Sequence, residues 1–400
     1  MTLTGAHSGS CSQGKLSLQK EAVSVTASAA PSPPEALVFV EGGMEPNTLC
    51  PDLPVFDLQR YLEASDRATP ELQRLCEAMA QCLRNTSALV VRDPRVDSAD
   101  NERFLSLVED YFAQPTEAKM ADVRPELSYQ VGATPEGIEK PRCLHDHSIV
   151  EAAARLAPEH QPVMPAKADS KWRFFWRVGT RPQQTAYPEL NADPVVPAAF
   201  PAWAQVMDTW GNKLLDAVTL AAEMVACGFG MEPNAFSRRM QQGPHLLAPT
   251  GSDLGKHSQL GTVFAGFHYD LNLLTIHGRS RYPGLYAWLR EGRRIPVRIP
   301  EGCLLIQAGA QMEWLTGGAV KAGYHEVICT EGTLAAAEAA KQAGRPQWRV
   351  SSTVFSHVAS DEVLRPLVPF ACPEAVAAYP PLPAGEQVQR ELAAINLKLC

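Results

Sequence analysis

The segment Gly266-Phe267-His268-Tyr269-Asp270 decides how this chain is interpreted. In an extended strand the side chains alternate between two faces, so His268 and Asp270 point to the same side and Tyr269 points to the other. A neutral imidazole and a carboxylate on one side form two arms of a divalent-metal site. A second histidine, His325, stands at the start of a later predicted strand and is the candidate third arm.

Two histidines and one carboxylate bind one face of an octahedral ion and leave three positions open, which suits non-haem Fe(II) oxygenases. The His-x-Asp triplet alone is a weak signal, because a buried histidine beside a turn aspartate gives the same letters. Arg349 and Ser351 add to it, since they lie two apart on a predicted strand and share a face. A guanidinium with a hydroxyl is a good receptor for a carboxylate, although a structural ion pair is the alternative for Arg349.

Composition excludes several classes of protein. The chain has 400 residues, 45% of them hydrophobic, which is enough for a sizeable core. Its 36 Lys and Arg against 44 Asp and Glu give a net charge of -8, so a nucleic-acid partner is not expected. No apolar stretch approaches the roughly 20 residues of a membrane span. Ten scattered cysteines without a CxxC pair predict a reducing, cytoplasmic compartment.

Hydrophobic periodicity predicts a mainly β protein with flanking helices (α+β). Helical spacing is found over 71–84, 101–113 and 203–224, followed by short alternating runs separated by turn residues. The predicted strands of this sandwich or barrel are 263–268, 271–276, 284–289, 295–299, 303–307, 326–330 and 349–358. A helical insertion is predicted over 333–344, and a last amphipathic helix carries Val388, Leu392, Ile395 and Leu399. A β core with helices packed on one side is therefore expected.

Several short motifs follow His268-x-Asp270 in a fixed order. They are Leu273-Leu274-Thr275-Ile276, Pro283-Gly284-Leu285, Ile299-Pro300-Glu301-Gly302, Leu315-Thr316-Gly317-Gly318 with Lys321, then His325 and Arg349-x-Ser351. Together with 53–58 and Tyr111-Phe112 to 115–119 upstream, this order resembles the isopenicillin-N-synthase-like branch of the Fe(II)/2-oxoglutarate-dependent dioxygenases. The resemblance covers about residues 50–365.

The resemblance implies a double-stranded β-helix, or jelly roll, with an N-terminal helical region. It implies that His268, Asp270 and His325 are catalytic ligands of Fe(II), and that Arg349 and Ser351 bind the distal carboxylate of the cosubstrate 2-oxoglutarate. With O2, such an enzyme hydroxylates or otherwise oxidises a small organic molecule and releases succinate and CO2.

The chain departs from the family pattern at three places. Ala248 stands where a tyrosine usually contacts the cosubstrate, Gln307 and Ala310 replace the Asn and Asp of a usual turn, and an insertion lengthens the segment between His325 and Arg349. These departures motivate an alternative hypothesis, a catalytically inactive jelly-roll module that binds or regulates. A zinc hydrolase built on the same triad ranks last, because the sequence offers no obvious base.

The sequence also predicts how the chain is divided. Residues 1–49 are expected to be a disordered extension, with an organelle transit peptide as the minor alternative. Residues 50–200 form an N-terminal dioxygenase-like region, 201–365 a helix plus the jelly-roll core, and 366–400 a tail helix. A small-molecule substrate is the expected partner, with no nucleic acid and no membrane, and the oligomeric state is open.

Three further groups have two interpretations each. His145-Asp146-His147 offers a second metal site or, as favoured, a solvated loop. Lys171–Arg177 alternates basic and aromatic residues, and a core strand with solvated cations is favoured over a nucleic-acid platform. His277, Arg279 and Arg281 either line the pocket mouth and receive an anionic substrate or form an exposed basic turn.

Overall fold

The computed structural model describes residues 53–397. The predicted extension over 1–49 and Leu399 of the predicted last helix lie outside these residues. The strands are β1 (Val55–Asp57), β2 (Ala88–Arg92), β3 (Gly132–Thr134), β4 (Trp172–Arg177), β5 (Leu246–Leu247), β6 (Thr250–Asp253), β7 (Val263–His268), β8 (Leu274–His277), β9 (Leu285–Trp288), β10 (Arg294–Pro296), β11 (Cys303–Ala308), β12 (His325–Ile328), β13 (Trp348–Val350), β14 (Thr353–Ser356), β15 (Val363–Leu364) and β16 (Leu382–Pro383). The helices are α1 (Gln59–Glu63), α2 (Pro70–Thr86), α3 (Ser98–Phe112), α4 (Thr116–Met120), α5 (His147–Ala154), α6 (Trp203–Gly228), α7 (Ser237–Met240), α8 (Ala310–Leu315), α9 (Glu331–Gln342), α10 (Pro373–Ala378) and α11 (Ala384–Ala394).

Two sheets form the body of the described chain. The larger has ten strands in the order β1-β2-β11-β8-β14-β5-β4-β6-β13, with β3 paired to β4. The smaller has four strands in the order β10-β9-β12-β7. Most neighbours in both sheets are antiparallel, and the pairing of β1 with β2 is parallel. The chain is thus a mixed helix and sheet structure with one large sheet, in agreement with the predicted α+β class.

Helices cover one face of the larger sheet. Leu247, Ile276 and Val354 project from neighbouring strands into the main apolar core, which they share with α2, α3 and α6. The indole of Trp210 on α6 donates to Ser352 Oγ at 2.7 Å. Since side chains alternate along a strand, the residues next to these, such as Thr275, point to the opposite face, toward the smaller sheet.

The predicted strand 349–358 is two strands, because the chain changes partners at Ser351–Ser352. Its first part, β13, pairs with β6, and its second part, β14, pairs with β5 and β8. The predicted strand 271–276 begins only at Leu274, since the carbonyl groups of Asp270 and Asn272 accept the first N–H groups of α8 instead of joining a ladder.

Helix ends differ from the predicted ones for local reasons. Helix α9 begins at Glu331 because Thr330 and Thr333 form a reciprocal capping box. Helix α11 begins at Ala384, earlier than predicted, and buries Val388 and Leu392 as expected. Between residues 53 and 397 no single helix is both long and apolar enough to cross a membrane; α6 with Pro233–Met240, bent by 118°, passes that test as a pair by length and composition only.

Gly309 packs closely against the turn that carries Asp270. A Cβ atom at this residue would lie 2.1 Å from the Asn272 carbonyl oxygen and 3.0 Å from that of Asp270. Gly309→Ala must therefore displace the turn that carries Asp270, and we expect the free energy of unfolding to fall by about 2 kcal/mol in chemical denaturation. Gly255→Ala is the control, since its nearest neighbour is a movable Asp253 carboxylate oxygen at 3.1 Å. Equal loss of stability in both variants would contradict this account.

Candidate metal centre

Three predicted ligands meet between the two sheets. The metal-binding atoms of His268, Asp270 and His325 all lie within 4.8 Å of one another, and in the described part of the chain no other group of histidine, cysteine and acidic side chains does so. Both Nε2 atoms lie 3.8 Å from Asp270 Oδ1. Strands β7 and β12 bring the histidines together, because His325 is the register partner of His268. This is the arrangement that the sequence predicts.

Hydrogen bonds fix which atom each ligand presents. The Nδ1 atoms of His268 and His325 lie 2.6 and 3.2 Å from the carbonyl oxygens of Gly266 and Gly323. A carbonyl only accepts, so each Nδ1 carries the proton and each Nε2 keeps its lone pair for a metal. Tyr269 faces away as predicted, and its ring packs against that of Tyr324 with centroids 5.4 Å apart.

The electrostatic surroundings keep the ligands in the forms that bind a cation. Burial, with a smaller effect of neighbouring His325, lowers the pKa of His268 to about 4, so the imidazole is neutral at pH 7. Burial alone would raise the pKa of Asp270, but the two imidazoles and the hydrogen bond from Thr275 outweigh it and lower that pKa. Thr275 Oγ1 donates to Asp270 Oδ2 at 2.6 Å, which leaves Oδ1 facing the histidines. The donor set therefore fits a divalent metal ion with open positions.

Arg349 is a buried cation without an acidic partner in the described residues. Its side chain is on β13, the residue is only 5% exposed, and Nε makes a long contact of 3.4 Å with the Pro283 carbonyl oxygen. Burial lowers its pKa to about 10, and the guanidinium remains charged at pH 7. Burial, with smaller effects of His325 and of the Arg349 charge, lowers the pKa of His277 to about 4, and the His277 ring centroid is 6.3 Å from that of His325. The alternative interpretation of Arg349, a structural ion pair, therefore finds no acidic partner among residues 53–397.

Ser351 has a partner that the sequence does not reveal. Its Oγ accepts the backbone N–H of Thr250 at 2.9 Å and lies 2.8 Å from Thr250 Oγ1. The Thr250 and Ser351 hydroxyls therefore act as a pair on adjoining strands. Ala248, at the position of the missing tyrosine, is buried near Phe175.

The three basic residues after the His-x-Asp strand separate in the structure. His277 points inward and bonds Thr353 and Gln307, each at 3.1 Å. Arg279 is exposed beside Glu301, whereas Arg281 bonds acidic side chains of α3, so neither arginine serves as an anion receptor at the pocket mouth.

The basic and aromatic stretch forms β4, a fully buried strand, as predicted, but its cations are not solvated. Lys171 Nζ bonds Glu139 at 3.0 Å and Asp169 at 2.8 Å. Arg173 Nη1 bonds the other Glu139 oxygen at 2.7 Å. The prediction of solvated cations is wrong for Lys171 and Arg173, because the nearby Asp169 and the distant Glu139 neutralise them inside the protein.

The second histidine pair forms no metal centre in the described structure. His145 and His147 are both exposed, and Asp146 between them caps the N-terminus of α5. The interpretation as a solvated segment fits better.

The sequence assigned no role to Thr275, Thr250 or Glu139. Of these three residues, only Thr275 belongs to one of the family motifs, Leu273-Leu274-Thr275-Ile276.

Thr275→Val tests the orientation of Asp270. The substitution keeps the shape of the side chain but removes the donor to Oδ2, so we expect Mn²⁺ to bind at least about tenfold more weakly in calorimetry. Thr353→Val is the matched control, because it removes a buried hydroxyl that contacts His277 rather than a ligand. Unchanged Mn²⁺ affinity in Thr275→Val would show that the hydrogen bond does not position the carboxylate.

Comparison with known proteins identifies the fold. No protein-family model and no curated protein matches the sequence. A 2OG-Fe(II) oxygenase family protein from Caulobacter crescentus has 22% identity and a TM-score of 0.64 over 86% of this chain and 99% of its own. Neurospora crassa T7H, in complex with alpha-KG and thymine, has 18% identity and a TM-score of 0.64, and the match covers 86% of this chain and 96% of T7H. JOX2, in complex with 2OG, Fe and JA, has 17% identity and a TM-score of 0.58, and the match covers 86% of this chain and 85% of JOX2. The chain has the fold of the 2-oxoglutarate/Fe(II) oxygenases, as its motif order predicted.

Proposed function

We propose that this protein is an Fe(II)/2-oxoglutarate-dependent dioxygenase that hydroxylates or otherwise oxidises a small organic molecule and releases succinate and CO2. The observation that carries the proposal is the meeting of His268, Asp270 and His325, with both Nε2 atoms 3.8 Å from one carboxylate oxygen. The two facing sheets are the proposed jelly-roll core, and residues 50–200 and 201–365 remain its proposed N-terminal and core regions.

His268, Asp270 and His325 would hold the metal through Nε2, Oδ1 and Nε2. Ferrous iron bound there supplies the redox chemistry with O2, which no protein side chain provides. The chain contributes orientation. The Gly266 and Gly323 carbonyl groups hold the imidazole rings, and Thr275 holds the carboxylate. These contacts fix the ligands before the metal binds, so little ordering is required when it does.

Arg349 would bind the distal carboxylate of 2-oxoglutarate, with Ser351 beside it. A guanidinium buried without an acid is costly unless an anion joins it, and a dicarboxylate supplies one. The Ser351 hydroxyl is hydrogen-bonded to that of Thr250, and this hydroxyl pair would give the carboxylate a second polar contact on the same face of the sheet. Since Ala248 offers no hydroxyl, we infer that Arg349 bears more of the binding energy here than it does where a tyrosine shares the carboxylate.

Solved relatives support a small-molecule substrate. T7H structures contain thymine or 5-formyluracil, and a JOX2 structure contains JA. We therefore propose a small organic substrate for this chain; the absence of nucleic-acid and membrane partners and the cytoplasmic location remain predictions from the sequence.

The alternative function is a catalytically inactive binding module, which the alanine at residue 248 favours. Two observations weigh against it. The ligand triad is complete, which a module would not need, and Arg349 is buried without an acidic partner among the described residues, where an apolar residue would make a module more stable. Iron content after anaerobic reconstitution and succinate release from 2-oxoglutarate separate the two hypotheses, since a module fails at least the second test.

His268→Ala and Arg349→Met should fail in different ways. His268→Ala removes one ligand, so we expect loss of bound iron and of succinate release. Arg349→Met keeps an apolar stem and removes the charge, so we expect iron to be retained while the 2-oxoglutarate concentration for half-maximal turnover rises at least about thirtyfold. Arg279→Met, at an exposed arginine beside Glu301, is the control and should match the wild type. The assignment is wrong if both site variants keep wild-type iron content and turnover.

A further inference from the structure

One buried guanidinium near the metal centre has an edge with no partner. Arg173 is 6% exposed, and its Nη1 bonds Glu139 at 2.7 Å. Its Cζ lies over the Phe175 ring, 4.0 Å from the ring centroid, which is a cation–π contact. The Nε and Nη2 atoms are buried and have no hydrogen-bond partner among residues 53–397. A buried pair of unpaired donors is costly and points to a missing ligand.

The sheet register places Arg173 on the face that bears the cosubstrate residues. Arg173 is opposite Thr250 on β6, and Thr250 bonds Ser351. Cross-strand partners project from the same face of a sheet, so these three side chains form a row across three adjoining strands. Arg349 lies on the same face as Ser351, two residues before it.

A chain of hydrogen bonds connects Arg173 to the metal ligand His268. Glu139 bonds both Arg173 and Lys171, and Lys171 bonds Asp169. Asp169 Oδ1 accepts the backbone N–H of Gly266 at 3.0 Å, and the Gly266 carbonyl oxygen contacts His268 Nδ1. The charge of His268 also affects the pKa of Glu139, which burial would raise but which Arg173 and Lys171 lower to about 2. The network that holds Arg173 therefore reaches the peptide group that orients His268.

The ion cluster that holds Arg173 is balanced in charge. Lys171 and Arg173 carry two positive charges, and they meet the two carboxylates of Glu139 and Asp169. Arg177 donates to neutral oxygens, the carbonyls of Val178 and His245 and the Asn191 side chain, and has no acidic partner among the described residues. The charge without a carboxylate partner on this stretch is therefore that of Arg177, whereas Arg173 has unpaired N–H donors.

We propose that Arg173 anchors a carboxylate of the organic substrate through its Nε and Nη2 atoms. The inference rests on the proposed function and names a substrate class for it, small carboxylic acids. The Nε–Nη2 edge presents two parallel N–H donors, which match the two oxygens of a carboxylate, and charge-assisted hydrogen bonds from a guanidinium to a carboxylate are stronger than those to a neutral group. The cosubstrate does not need this edge, because Arg349 provides it with an unpaired guanidinium of its own.

Matched acids and amides test this proposal. The full-length protein, loaded with Fe(II) and 2-oxoglutarate without oxygen, is titrated by calorimetry with benzoate, phenylacetate and hexanoate and with the amide of each. The wild type should bind at least one acid at least about tenfold more tightly than its amide, since charged hydrogen bonds to a buried guanidinium are lost in the amide. No preference for any acid over its amide would overturn the proposal.

Two variants assign the preference to Arg173. Arg173→Gln with Glu139→Gln removes one charge of each sign, so the ion cluster stays balanced; the acid preference should fall to about twofold or less while 2-oxoglutarate affinity is kept. Glu139→Gln alone is the control, because it keeps the guanidinium and should keep the preference. If the double variant does not fold, as judged by circular dichroism, Arg173→Lys replaces it, since it keeps the charge and loses the parallel donors.

Two results contradict the assignment. If the variants without Arg173 still prefer acids to amides, another group binds the substrate carboxylate. If those variants keep the acid preference but bind 2-oxoglutarate more weakly, Arg173 serves the cosubstrate. Iron retention and substrate-free succinate release by the wild type report on the proposed function separately. If these hold and the acid preference is missing, only the substrate inference fails.

Discussion

The pairing of β12 with β7 is the constraint on which the metal centre depends. Farther along these strands, Val327 pairs with Ala265, a register that if continued would place His325 opposite Phe267. A shift in register between the two pairs brings His325 opposite His268 instead. β12 keeps a regular register with β9, so the extra residue is on β7, and it turns the His268 imidazole to the face that carries His325. Asp270 then needs only the turn after β7 and the Thr275 hydroxyl to complete the triad.

Buried positive charge is the second organising feature. The two sheets enclose Lys171, Arg173 and Arg349, and the protein supplies carboxylates for only the first two. Burying a cation without a partner opposes folding, so a site that keeps such cations stores part of the free energy that an anionic ligand recovers on binding. In the proposed scheme a dianionic cosubstrate would neutralise Arg349, and a substrate carboxylate would accept from the unpaired N–H donors of Arg173, whose charge Glu139 already neutralises. An apolar pocket of the same shape would give no such selectivity.

The sequence predicted those features that depend on neighbours along the chain. Period-two spacing put His268 and Asp270 on one face, His325 at the start of a later strand was the candidate third arm, and the motif order indicated the fold. Features that depend on distant residues were missed. The cations of β4 were expected in solvent because Glu139 and Asp169 are outside their strand, and Arg281 was a pocket candidate because its partners are on α3. The division of 349–358 into two strands likewise follows from a change of partner strands, which no local pattern encodes.

The backbone of Gly266 connects the ion cluster at β4 to the metal centre. Gly266 donates its N–H to Asp169 and accepts from His268 Nδ1, so the cluster that holds Arg173 also fixes the peptide that orients a metal ligand. Such a polar network stabilises one arrangement only when its members are satisfied, because each unpaired buried group costs free energy. Lys171, Asp169 and Glu139 all have partners inside the network. The Nε and Nη2 donors of Arg173 are the exception, and a ligand that accepted from them would complete the network. The bound substrate group and the metal ligand His268 would then be connected by one continuous set of hydrogen bonds.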